Sequence, residues 1–527
     1  MRVLIFHGYL LRGTGSNVYN ARLAEALTRL GHEVHLLCQD RHPEEQAWLA
    51  AAGDWDSGEL RVRELAGGQE WPGRATAYRP DVGGLLPVYV ADRYEGIEAR
   101  TFADCTPEEV DRYLAANVAA VAEVSALARP DVALANHLVM GPVILARGLA
   151  GAVPYAVKVH GSALEYTVKP EPERFLPFAR EGIAPAKGVL VGSRHTASSL
   201  WAALEDPELP ARTRLGPPGV DVARFAPREP EAAVRGLRDL AARLAAEPAP
   251  GGGDEHARSA FSRDAREAAA AVAQIADRDG PLVSYLGKLI VSKGVDLLLA
   301  AWPLVLARVP RARLAVVGFG AYREGLQRLL LALGDGDLQA ARAVAAAGRA
   351  LEDPGAPPLP LTHLLAFLDS LQGSEREEYL AAAAGLGESV VFTGRLEHEE
   401  LADLLPACAA LVAPSTFPEA FGMVAAEGAA SGAIPVVARH SGLAEVSREL
   451  AAAVPEEAAG WLSFPVDDEA VRSLARCLIG CLAAEPGVLA ATRGGLVETV
   501  RRLWSWERVA TGVIAAAQGE LEGLQLP

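Results

Sequence analysis

Two hydrophobic rhythms alternate along the chain. Short unbroken apolar runs, such as "RVLIF" at 2–6, "DVALANH" at 131–137, "YAVKVHG" at 155–161 and "GVLVGS" at 188–193, predict strands buried on both faces, as in parallel sheets. Between them, stretches such as "VYNARLAEALTRLG" at 18–31 carry apolar residues at helical spacing, and "HEVHLLC" at 32–38 returns to strand. The first strand, the Gly-rich turn "RGTGSN" at 12–17, the helix and the second strand make a βαβ opening. The rhythm pauses at "GPPGVDVARFAP", 216–227. It restarts with "PLVSYLGKL" (281–289), "ARLAVVGFG" (312–320), "SVVFTGRL" (389–396), "ALVAPS" (410–415), "AIPVVA" (433–438) and "GWLSFP" (460–465), again with helices between. The fold class predicted is α/β, two doubly wound Rossmann-like domains in tandem.

The first domain is read as 1–218 and the second as 219–497, followed by a helical tail at about 498–527 that carries Trp504 and Trp506 as packing anchors. Two helical insertions interrupt the second domain. One, 228–280, is Ala/Arg/Glu-rich around "EPAPGGGDEH"; the other, 332–387, is broken by "EDPGAPPLPLTH". Neither offers alternating β-branched runs, so both are expected as helices on the surface.

A chain of 527 residues is too long for one core, which agrees with two domains. The formal net charge of −17 argues against nucleic acid or an anionic membrane as the main partner. An anionic ligand would need a local basic pocket. The five cysteines form no CxxC pair. Cys477 and Cys481, four apart, suit two core residues on one helix face, with a metal pair as the alternative. An odd count and an N-terminus, "MRVLIFHGYL", that reads as a strand rather than a signal segment suit the reducing cytoplasm. No stretch reaches the ~18 apolar residues of a membrane span. Nothing in the sequence fixes an oligomeric state.

Candidate chemistry lies where predicted strands end, because ligands of open parallel sheets bind at that carboxyl edge. Lys288 and Lys293 follow Gly287 in such a loop, and two ammonium groups there suit a diphosphate whose charge grows on leaving. Ordinary solvated lysines would look the same. Glu419 and Glu427, with seven residues between them, follow "ALVAPS". Were the stretch all helix, they would stand roughly 12 Å apart, about the span of a nucleotide sugar from hexose to ribose. The helix N-terminus near Gly422 would offer amides to an anion. The bland alternative is an acid favourable to the helix dipole plus a surface acid. In the first domain Gly13 and Gly15 precede a helix, where amides could meet a phosphate. His160 and Arg194 follow further strand ends, as do His7 and His137 with less weight. Tyr89, Arg93 and Tyr94 lie in a Gly- and aromatic-rich stretch suited to a small polar acceptor, or to packing.

These residues together resemble the glycosyltransferase family 4 type, retaining enzymes of the GT-B fold. "EAFGMVAAE" matches the family's Glu-x7-Glu element. "GKLIVSKGVDLLL" matches its "GRLxxxKGxDxLL" segment, with Lys288 where Arg is usual. "GVDVARF" matches its hinge, His160-Gly161 its "HG", and "WSWERVA" its closing helix, which crosses back to complete the first domain. The family's usual "GDG" is "GFG" here, Gly318-Phe319-Gly320.

The resemblance implies two domains facing across a cleft, an acceptor domain followed by a donor domain. It implies transfer of a hexose-like sugar from a UDP-, GDP- or ADP-sugar to an acceptor hydroxyl, with anomeric configuration retained. In that reading Lys288 and Lys293 neutralise the departing diphosphate, and Glu427 holds the ribose. Glu419, with the amides of Phe421, Gly422, Met423 and Val424, holds sugar and distal phosphate, and His160 contacts the donor sugar. Gly13, Gly15, Arg194, Gly287 and Arg395 complete the donor set, and Arg93 and Tyr94 contact the acceptor. The nucleotide sugar is a co-substrate; no cofactor and no metal are expected. A small polar or glycan acceptor is preferred over a lipid. A GT-B phosphorylase, a sugar-nucleotide epimerase and a non-catalytic nucleotide-sugar sensor remain as alternatives.

Overall fold

The computed structural model describes every residue except 57, 67–70, 91–96, 248–262, 354 and 356. The chain divides into two compact units. Unit 1 comprises Met1–Gly219 and Trp504–Pro527, and unit 2 comprises Val220–Leu503.

Unit 1 contains β1 (Arg2–Phe6), β2 (Glu33–Leu37), β3 (Ala51–Asp56), β4 (Glu59–Glu64), β5 (Arg74–Arg79), β6 (Leu85–Val88), β7 (Glu98–Thr101), β8 (Val132–Asn136), β9 (Tyr155–Val159), β10 (Gly188–Val191) and β11 (Thr213–Leu215). Among the described residues, one sheet runs β11-β10-β9-β8-β1-β2-β5-β3-β4. β1 pairs in parallel with both β2 and β8, so the strand order reverses at β1/β8, the place where such sheets open a ligand crevice. The continuous apolar runs are β1, β8, β9 and β10. Between β2 and β8 the chain adds β3, β4 and β5 to this sheet. β3 and β4 form an antiparallel hairpin at its edge. The outer strand "ELRVRE" is exposed and charged, as unpaired edges are, and this hides it from an apolar-run reading. β6 and β7 pair separately, in parallel.

The helix Trp506–Gln518 belongs to unit 1. Trp506 is buried and lies so close to Gly219 that a Cβ there would stand 2.4 Å from its ring. Gly188 faces the Ala516 carbonyl in the same way.

Unit 2 contains β12 (Leu282–Leu286), β13 (Arg313–Val317), β14 (Val390–Gly394), β15 (Cys408–Ala413), β16 (Ile434–Ala438) and β17 (Ser463–Phe464). Among the described residues they form a wholly parallel sheet in the order β14-β13-β12-β15-β16-β17. This is a Rossmann arrangement, with its switch point between β12 and β15. The helix Val295–Leu306 is apolar on nearly every face and buried on nearly every face, because further helices, among them Ala470–Ala483, Gly373–Ala383 and Arg323–Gly334, pack around it.

The two helical blocks bury more than a surface position implies. Pro230–Ala246 and Ala265–Ala276 pack on each other, burying Leu237, Leu240, Leu244, Val272 and Ile275. The second block sends Leu364, Phe367, Leu368 and Tyr379 inward, and the Tyr379 hydroxyl donates to the Ala300 carbonyl at 3.0 Å. Ala-rich composition masks their apolar stripes. All five cysteines are buried and free. No single helix among the described residues is long and apolar enough to cross a membrane.

Candidate active site

In unit 2 the loop after β12 lies against the loop after β15. The Tyr285 hydroxyl donates to the Lys288 carbonyl at 2.8 Å, which fixes the backbone while the Lys288 side chain stays exposed. A short 3-10 turn, Val291–Lys293, leads to Gly294 at φ +65°, where a Cβ would stand 2.1 Å from the Pro414 carbonyl oxygen. Only glycine accepts both that φ and that approach. Close contact of the two loops brings the Lys293 ammonium into an ion pair with Glu419 Oε1. The Ser415 hydroxyl, also past β15, lies 2.9 Å from the same carboxylate oxygen and 3.0 Å from the Ser292 carbonyl.

Glu419 does not stand on a helix with Glu427, as the all-helix spacing assumed. The helix runs Met423–Ala430, with Gly422 at its cap and no side chain capping it. The backbone of Glu419 is held elsewhere: its N–H donates to Ser441 Oγ at 2.9 Å, and its carbonyl accepts from the Gly442 N–H at 2.9 Å. His440 Nε2 lies 2.7 Å from the Ser415 carbonyl, so this nitrogen is the donor. The loop is thus tied to the segment after β16, and the helix starts late. Its first-turn amides, near Met423 and Val424, remain an anion-binding end.

Glu427 is 3% exposed and accepts from His398 Nε2 at 2.6 Å. The His398 ring packs on Phe225 with centroids 5.1 Å apart. Arg395, just past β14, lies over the Phe319 ring at 5.8 Å and pairs with Glu397 at 3.0 Å. Phe319 sits between two glycines. At Gly318 a Cβ would stand 1.8 Å from the Gly287 carbonyl oxygen, so the ends of β12 and β13 nearly touch. Glu352, from the second helical block, accepts from the Val291 N–H at 3.0 Å and buttresses the lysine loop.

In unit 1 the ends of β1, β8 and β9 gather three histidines. His137 lies 4.9 Å from His160 and 6.0 Å from His7, ring to ring. His7 Nε2 faces the Leu10 carbonyl and Asn17 Oδ1, each at 3.0 Å, and Asn20 Nδ2 donates to its Nδ1 at 3.0 Å. Burial lowers His7 to about 4. Burial, with His7 nearby, holds His137 well below the usual imidazole value. Burial again, then His137, Lys158 and His7, does the same for His160. All three rings are therefore neutral near pH 7. Gly13 and Gly15 are exposed at the head of the helix Gly15–Arg29, whose cap Thr14 makes no side-chain cap bond. Arg194 is exposed in the first turn of Arg194–Leu204. Tyr89 packs: its hydroxyl donates to the Val139 carbonyl, and its ring lies 4.6 Å from His137 and 5.4 Å from Phe102. Arg93 and Tyr94 lie outside the described residues. Among the described residues no three His, Cys, Asp or Glu side chains gather as a metal site.

Of the residues singled out from sequence, Lys293 and Glu419 are in contact, while Gly287, Lys288, Arg395, Phe421 to Val424 and Glu427 all stand past the carboxyl ends of unit 2 strands. His160, Gly13, Gly15 and Arg194 hold the equivalent edge of unit 1. Sequence reading missed Ser415, His440, Ser441, His398 and Asn136, whose Oδ1 lies 2.8 Å from His160 Nε2. Each stands at or just past a strand end, so the carboxyl-edge rule extended to Ser, Asn and every His would have found them.

Residues 14–208 match the family described as "Glycosyl transferase 4-like domain", and residues 364–478 match "Glycosyl transferases group 1". The first segment holds His160 and Arg194. The second holds Arg395, Glu419 and Glu427, and leaves Lys288 and Lys293 outside. Over 206 residues the chain is 32% identical to a GDP-mannose-dependent alpha-(1-6)-phosphatidylinositol monomannoside mannosyltransferase of Mycolicibacterium smegmatis. That alignment covers 38% of this chain and 41% of the relative, so the match spans about two-fifths of the relative's length. Sucrose-phosphate synthase from Thermosynechococcus elongatus shares the fold with a TM-score of 0.53 at 19% identity, over 98% of both chains. Anabaena HepE, in complex with UDP and glucose, does so with a TM-score of 0.53 at 15% identity, over 98% of this chain and 99% of that one. The fold is GT-B.

Proposed function

The chain belongs to the glycosyltransferase family 4 type, and on that premise we propose that it moves a hexose-like sugar from a nucleotide diphosphate sugar to an acceptor hydroxyl, retaining the anomeric configuration. The observation that carries the reading is the Lys293–Glu419 pair beside a helix N-terminus at the switch point of unit 2. A diphosphate entering there exchanges Glu419 for its own oxygens as the partner of Lys293. Glu419 is then released to hold sugar hydroxyls, which carboxylates accept well. Lys288 and the amides at Met423 and Val424 share the charge that grows as the bond from the anomeric carbon to the diphosphate oxygen breaks. The new bond forms to the acceptor oxygen on the same face, and the acceptor proton passes to the departing phosphate oxygen. Glu427, fixed by His398, has a second carboxylate oxygen for the ribose hydroxyls. His160 offers a neutral ring to a substrate hydroxyl.

No step in this scheme calls on a metal, because two lysines and a helix N-terminus supply the positive charge. The donor is assigned to unit 2 and the acceptor to unit 1. The net charge of −17 favours a small polar or glycan acceptor, and the free, buried cysteines favour a reducing, cytoplasmic setting. A lipid acceptor is the second reading, and the name of the mannosyltransferase relative favours it. Co-sedimentation with anionic liposomes at physiological salt separates the two. The reaction itself is tested by proton NMR of the products formed from UDP-, GDP- and ADP-sugars with a panel of glycan acceptors. An α-linked product from an α-linked donor is expected, and an inverted product overturns the proposal.

A further inference from the structure

We propose that Asn136 is a positioning residue whose amide holds His160 in the Nε2–H tautomer, so that Nδ1 presents a lone pair to a hydroxyl of the bound substrate. This rests on the reading of His160 as a substrate contact. Asn136 ends β8 and is 1% exposed. Its Nδ2 lies 3.2 Å from the Phe6 carbonyl oxygen. A carbonyl only accepts, so the nitrogen end of the amide must face Phe6. The oxygen end then faces His160, with Oδ1 2.8 Å from Nε2. An amide oxygen also only accepts, so Nε2 carries the hydrogen. A neutral imidazole has one ring hydrogen, and Nδ1 is left bare.

The surroundings keep the ring neutral. The groups that face His160 are His137, with ring centroids 4.9 Å away, Tyr19, edge-on at 5.0 Å, and Lys158 and His7, which oppose a second proton. His7 is held by the same logic, with Asn20 donating to Nδ1 and Asn17 accepting at Nε2. A fixed acceptor makes the site selective. A hydroxyl donates to Nδ1, whereas a deoxy position leaves the lone pair unmet, and an ether or carboxylate sets lone pair against lone pair.

The test is nitrogen-15 NMR of the full chain labelled at histidine, with His160 assigned by its absence in His160→Gln. Long-range correlations report which ring nitrogen bears hydrogen. The expected result is Nε2–H with a bare Nδ1 between about pH 6 and 8, where a free histidine titrates. An Nδ1–H form, or an imidazolium in that range, overturns the proposal. Asn136→Asp keeps an acceptor at Nε2 but adds a charge that favours the imidazolium. It should move His160 protonation upward and add an acid limb to the kcat/KM profile, whereas Asn136→Leu should let both tautomers appear. An Asn136→Asp protein with unchanged His160 titration also overturns the proposal. The wild-type spectrum needs no turnover, so the tautomer can fail while the transferase reading stands, and the reverse.

Discussion

Lys293 and Glu419, 126 residues apart in the chain, pair across the point where the strand order of unit 2 reverses. Their side chains are 31% and 26% exposed. A partly exposed pair of this kind contributes little to stability, on the order of 1 kcal/mol or less. In the proposed scheme it holds a cation at the crevice until an anionic ligand replaces the carboxylate.

Lys293→Ala should therefore fold normally and fail in turnover. Removing one preorganised charge from a leaving group costs on the order of 10²-fold or more in kcat. Circular dichroism and thermal melting would check the fold, and nucleotide release would check the turnover. A folded variant that turns over like wild type would contradict this role.

His398→Ala should act on both fold and ligand. It leaves the buried Glu427 carboxylate without its donor, which costs about 1–3 kcal/mol, readable as a lower urea midpoint. Nucleotide affinity should weaken too, because the carboxylate loses its fixed orientation. An unchanged midpoint would mean that the pair contributes nothing.

Lys158 supplies a pH test. Burial lowers its ammonium from the usual 10.5 to about 7, although it donates to the Gly216 carbonyl. Below about pH 7 the folded and unfolded chains both carry the proton, and the folded state bears the full cost of the buried charge. From there up to about pH 10 the unfolded chain holds more protons, so stability rises with pH. Lys158→Met removes the charge. Its melting temperature relative to wild type should be highest near about pH 6 and should decline toward about pH 10. A difference that does not change with pH would refute the assignment.

Metal removal should change nothing. Incubation with EDTA and assay in chelated buffer should leave the transfer rate unchanged, because in the proposed scheme the charge that stabilises the leaving group comes from the chain. A loss of rate restored by a divalent cation would count against the two-lysine scheme.

The strands of unit 2 were legible because burial on both faces makes β12, β15 and β16 continuous apolar runs. The β3–β4 hairpin was not, because its outer strand is charged and exposed. Lys293 and Glu419 could be found as strand-end residues, and the motif around them is local. The true start of the helix at Met423 could not, because Ser441 and Gly442, far along the chain, claim the backbone of Glu419. The His398–Glu427 bond is likewise a tertiary contact that no spacing announces. The role of Asn136 appears only once Phe6 is seen to fix its amide.

Calorimetric titration of the full chain with UDP, GDP and ADP tests the central claim most directly, because it needs neither acceptor nor sugar. The account predicts that one of the three binds, and that Lys293→Ala weakens it by about tenfold or more, since a tenfold loss corresponds to only ~1.4 kcal/mol. Binding of none of the three, or binding indifferent to Lys293, would contradict the assignment of the unit 2 switch point to a nucleoside diphosphate.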